Sequence, residues 1–168
     1  MVPVAKNSLL KFTKAILYFR KQNFKKILMY TAFLHTHNTM RWIVLAMAVL
    51  ALYKSWTGWK GQKSFESSDN KIGTFFIASL HLQFLLGLAL FFMSPAIELA
   101  LSDMGTAMGD KALRFKLIEH PLTMIIGLVI AQIGRIKSKK AATDELKHKN
   151  AAVFFTVALV LILSRVPW

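Results

Sequence analysis

The sequence predicts an all-α integral membrane protein: an antiparallel four-helix bundle with a basic N-terminal extension. Three observations carry that expectation. Of 168 residues, 55% are hydrophobic and 18% charged, whereas a soluble domain holds about 25% charged residues; mean hydropathy is +0.45. The apolar residues fall into four runs long enough, or nearly so, to cross a hydrocarbon core, which takes about 20 helical residues. The charges gather between those runs. One core is all this length supports, which leaves no second, catalytic domain.

Residues 1–28 stand apart from the bundle at 29–168. They bring seven Lys/Arg and no acid, with Leu9, Leu10, Phe12, Ile16, Leu17 and Phe19 alternating with lysines. The spans are expected at about residues 33–53, 72–93, 112–135 and 150–165. The third starts early because Ala112 to Leu117 keep helical periodicity, and the fourth lengthens when Lys149 and Arg165 snorkel. The link at 54–71 carries Trp56, Trp59, Lys60, Lys63, Glu66 and Asp69, an aromatic belt followed by a solvated loop. The link at 135–149 is strongly basic, with His148 expected in solvent. Four spans put these two links on one side, which the positive-inside rule makes the cytoplasm. The remaining link carries Glu98, Asp103 and Asp110 and no cation before Lys111, in keeping with the outside. Residues 1–28 run against that assignment. An amphipathic surface helix, a reversed topology or a start at Met29 would each explain them; the third is favoured, because MYTAFLHTHNTMRW enters the first span directly.

An ionisable side chain inside a bilayer costs several kcal/mol, so each marks a candidate site. The first span offers His35, His37, Asn38 and Arg41, the second His81 and Gln83, and the third Glu119 and His120. The fourth offers nothing comparable beyond Thr156. Measured from the cytoplasmic ends at 1.5 Å per residue, His37 lies about 25 Å up, Arg41 about 20 Å, His81 about 15 Å and His120 about 22 Å. All occupy the outer half. Below His120, Thr123, Met124, Gly127, Ala131 and Gly134 form a stripe of small and flexible residues, a groove suited to a flat macrocycle. Non-covalent haem would take axial imidazoles from facing helices there, with Arg41, Arg114 or Lys116 for its propionates. Depth prefers His37 with His120, whereas His81 with His120 needs an offset of about one turn; the pairing stays open. His81 lies deepest in an apolar helix, so His81 and His120 lead as ligands, with His37 or His35 as substitute or additional ones.

Other chemistry is excluded more firmly. Zero cysteines rule out disulfides, thiolate metal sites, iron–sulfur clusters and cysteine nucleophiles. No phosphate-cradling glycine loop, nucleophile–base arrangement or zinc-protease spacing occurs. Met40, Met93 and Met124 read as packing residues. Trp42, Trp56, Trp59 and Trp168 read as belt anchors. The basic links abut spans, so they report topology and headgroup attraction, with no nucleic-acid partner expected.

The string LHTHNTMRWIVL, the Asp-Asn-Lys-x-Gly opening of the second span with His81-Leu82-Gln83 inside it, Glu119-His120, Ile-Gly-Arg-x-Lys-Ser-Lys-Lys and the terminal Val-Pro-Trp resemble a family of short bacterial four-span membrane proteins, commonly labelled cytochrome b-like. The similarity runs from about Met29 to Trp168. It implies b-type haem (heme b) and electron transfer in the bacterial inner membrane, and it carries over the set His35, His37, His81, His120 and Arg41. The expected protein is an electron carrier, meeting quinone near His35, Glu119 and Arg41 or docking in a larger respiratory complex, more than a stand-alone enzyme. The alternatives are a non-haem accessory subunit with structural or proton-relaying histidines and, third, a histidine-based copper or iron permease or insertase.

Overall fold

The structure, a computed structural model, describes residues 3–167, and side chains for residue 14 and residues 16–167. The chain folds into α1 (Pro3–Lys60), α2 (Ser67–Met93), α3 (Pro95–Ser102), α4 (Met104–Gly109), α5 (Lys111–Lys140) and α6 (Asp144–Ser164), and no strand occurs among the described residues. The Ile16–Lys60 part of α1, with α2, α5 and α6, gives four helices long and apolar enough to cross a membrane. It is a multi-pass membrane protein. Large apolar side chains such as Phe75, Phe92, Val49 and Val160 face outward, a surface that only lipid or another apolar partner covers at low cost.

The helices outlast the predicted spans. α1 runs through residues 28 and 29 without a break. The apolar positions Leu9, Leu10 and Phe12 of the amphipathic pattern, and Trp168 of the belt, lie outside the described side chains. The basic stretch 135–149, expected as a loop, is mostly helix: α5 continues to Lys140 and α6 begins at Asp144, where the Thr143 hydroxyl accepts from the Leu146 N–H at 3.3 Å. Charged residues are good helix formers, and an N-cap fixes where the next helix starts. At the other basic link α1 ends in a Schellman-type turn, with Lys63 N–H on the Gly58 carbonyl (3.0 Å) and Gln62 N–H on Trp59 (3.4 Å). Gln62 takes the left-handed conformation there, φ 48°, a place usually given to glycine.

Contacts between neighbours set the topology. α2 meets α1 through Gln83 and His37 at one end and through Asp69 and Lys54 at the other, so the two run in opposite senses. α6 opposes α1 in the same way, with Arg41 on the Pro167 carbonyl at 2.8 Å and the Trp56 indole on Thr156 at 3.0 Å. α5 opposes α6, joined by His120 with Arg165 and Lys137 with Asn150. Small residues make close approach possible: Ala48, Ala131 and Ala158 are fully buried in one cluster with Phe76 and Phe155, whose rings meet edge to face at 5.0 Å.

The short helices α3 and α4 bridge α2 to α5 over the histidine-bearing end, packing Ile97, Ala100 and Ala107 on Leu117. Asp103 caps α4, accepting from the Thr106 amide (3.0 Å) and hydroxyl (2.6 Å). Those bonds, the hydroxyl's foremost, hold its carboxyl below the usual carboxylate range. Asp110 caps α5 in turn. Within α5 the backbone widens to a π-helical turn at Phe115–Glu119, closed by the His120 N–H on the Phe115 carbonyl. Pro121 follows directly. It offers no N–H and its ring crowds the carbonyl four residues back, which a one-residue register change relieves.

Candidate functional site

The depth arithmetic brings His37 and His120 to one level, and the fold brings them together. Their ring centroids are 6.5 Å apart with planes at 80°. Each is held by a different device. His37 on α1 packs over Gly87 of α2, where a Cβ would come within 3.1 Å of the ring. Gln83, one turn before Gly87, donates from Nε2 to the His37 carbonyl at 3.1 Å and lies 3.3 Å from the ring Nε2. The His37 Nδ1 is buried without a hydrogen-bond partner. His120 uses Nδ1–H to bind the Arg165 carbonyl at 2.8 Å. A carbonyl only accepts, so Nδ1 carries a proton, and in the neutral ring the lone pair is then on Nε2. Phe115 flanks the His120 ring at 5.8 Å.

Charged groups surround the pair. Glu119 joins Arg114 at 3.0 Å and Arg165 at 3.6 Å. Arg114 also donates to the Met108 carbonyl, so α4 is tied to the same corner. Arg41 sits one turn from His37, over the Trp42 ring at 5.2 Å and on the Pro167 carbonyl. His35 is exposed. His81 is not brought to His120. It is exposed on the outer face of α2, its Nδ1–H bonded to the Ile77 carbonyl of its own helix at 2.9 Å. The reason is azimuth. Two residues separate His81 from Gln83, and two residues turn a helix by about 200°.

Two expectations are corrected here. The stripe below His120 is no open groove: a Cβ on Gly127 would press on Ile162, and one on Gly134 would overlap Phe154. Those glycines admit side chains of α6, so a macrocycle has no place against that face. His148 is not solvated. It is 1% exposed, seated over Gly58, 5.0 Å from the Phe65 ring and with Nε2 4.0 Å from Asp69 Oδ2. This buried polar group lies in the first turns of α6, ahead of the expected fourth span. At the same end of the bundle, Arg135 is buried and donates to the Asn70 carbonyl (2.9 Å) and the Thr74 hydroxyl (2.7 Å), and it lines a water-sized cavity with Lys54, Ser55, Asp69 and Ser138. A helical stripe would have found both. His148 leads Ala152, Phe155, Leu159 and Ile162 at inward spacing, and Arg135 and Ser138 continue from Gly127, Ala131 and Gly134.

Comparison with known protein families, with curated proteins and with solved structures finds no match to this chain. The fit of haem therefore rests on the residues. No group of three or more His, Asp and Glu that could hold a metal occurs among the described residues. A cofactor that brings its own equatorial ligands and takes two imidazoles suits the set that is present: facing rings, one lone pair fixed by a backbone carbonyl and one buried ring nitrogen without a partner.

Proposed function

We propose that this chain is a membrane-embedded, b-type cytochrome-like electron relay whose haem is held by His37 and His120. One observation carries the reading. Two imidazoles on facing helices lie with centroids 6.5 Å apart, close to the spacing of about 6 Å for rings that share one metal at about 2 Å per bond. Haem, when bound, supplies a one-electron couple and no bond-making chemistry. The chain's part is to fix ring orientation and exclude water. The Arg165 carbonyl sets the His120 tautomer. Gln83, whose Nε2 donates to the His37 carbonyl and lies 3.3 Å from the ring Nε2, holds the His37 side chain in place. The proposed setting is the bacterial inner membrane, with the basic ends of the helices cytoplasmic, and a quinone or a larger respiratory complex as redox partner.

A reduced-minus-oxidised optical spectrum of the purified, detergent-solubilised protein tests this reading. The expected result is a low-spin b-type spectrum lost in His37→Ala and in His120→Ala and kept in His81→Ala. A colourless, folded preparation after haem loading overturns it. That outcome favours the second reading, a non-haem accessory subunit whose histidines are structural. The observation in its favour is that Arg41, His120 and Glu119 all bind across helix ends to protein partners.

A further inference from the structure

We propose that the seam between α1 and α6 at the basic end is a binding site for one anionic phospholipid. The ammonium groups of Lys60 and Lys149, from two different helices, lie 4.6 Å and 5.5 Å from the centre of the same Trp59 ring, and so no more than about 10 Å from each other. Lys54 and Lys147 close by have carboxylate partners in Asp69 and Asp144. Among the described residues Lys60 and Lys149 have none within ion-pairing distance. Two like charges converge on one indole with no carboxylate partner among the described residues.

The seam continues below them as an apolar track. On α1, Val49, Tyr53, Trp56 and Lys60 share one face; on α6, Lys149, Val153, Thr156 and Val160 do the same. The Trp56 indole N–H on Thr156 pins the two faces together at 3.0 Å. Val49, Tyr53, Val153 and Val160 are exposed along this track. A molecule matching the site has an anionic head at the lysines, where an indole marks the interface, and a hydrocarbon chain running toward the bilayer centre. That is the chemistry of a net-anionic phospholipid. A zwitterionic lipid would place its own ammonium against the two lysines.

The test uses the full chain in phosphatidylcholine vesicles, into which phosphatidylglycerol or phosphatidylcholine with brominated acyl chains is titrated while tryptophan emission is read. Brominated phosphatidylglycerol quenches at a lower mole fraction than brominated phosphatidylcholine. Lys60→Gln/Lys149→Gln lowers that preference about tenfold, whereas Lys139→Gln/Lys140→Gln, which removes the same charge outside the seam, retains it. Trp59→Phe keeps both lysines and removes most of the selective quenching. Equal quenching by the two lipids in the wild type overturns the proposal, and so does an equal loss in both double variants, which would mean diffuse attraction to the basic end. A preference that vanishes on diluting the protein at fixed lipid composition would give the seam to a second copy instead.

Discussion

The two ends of the bundle each enclose histidine, and they do so in opposite ways. At the outer end, His37 and His120 approach each other edge to face across helices, their polar contacts are an amide and a main-chain carbonyl, and one ring nitrogen stays without a partner. At the basic end, His148 has no second imidazole beside it: it is pressed over a glycine, as His37 is, and set beside a carboxylate, with its own Nδ1 also buried and without a partner. The first arrangement sets two imidazoles close enough to share a ligand. The second uses its ring as packing, so the same residue type serves a site at one end and a joint at the other.

Substitutions that separate the two roles sharpen this comparison. Gly58→Leu should be the most damaging, at about 3 kcal/mol or more of lost stability, because the new side chain takes the space of the His148 ring. Thermal unfolding in detergent, followed by far-UV circular dichroism, measures it; a variant as stable as wild type would break the view of His148 as a joint. His148→Ala should cost about 2–3 kcal/mol, from the cavity left behind and the polar groups it strands. Any b-type spectrum should survive that change, which the same optical assay checks. Gly87→Ala at the outer end should cost only about 1 kcal/mol, since its Cβ would crowd one edge of His37, but it should shift the spectrum where Gly58 variants do not. An effect of similar size and opposite sign belongs to neither histidine. Gln62→Gly should stabilise by about 1 kcal/mol by removing the left-handed cost at the end of α1, read as a rise in Tm.

Much of this could be read from the residues, but not all of it. The helices were legible because apolar runs of membrane length leave few alternatives. The approach of His37 to His120 was legible as depth, since both fall near 22–25 Å from the opposite ends of their spans. Depth says nothing of azimuth. His81 and Gln83 stand at nearly one level, and only the helix turn sends Gln83 to His37 and His81 outward. His148 escaped for another reason: the lysines around it dominate the composition and hide the inward stripe that it begins. The glycine stripe was visible, but a glycine shows only that space is needed. It does not name the occupant, here Phe154 and Ile162.

Two ties at the outer end use main-chain oxygens: His120 binds the Arg165 carbonyl and Arg41 binds the Pro167 carbonyl. Every amino acid presents that oxygen, so an alanine scan across 165–167 would pass over both bonds. Shortening the chain by four residues would remove the two at once, freeing α1 and α5 from the same strap. For these two bonds the last turn beyond α6 is a genetic blind spot: substitution there reports on the Arg165–Glu119 ion pair and the buried Val166, and only truncation reports on the strap.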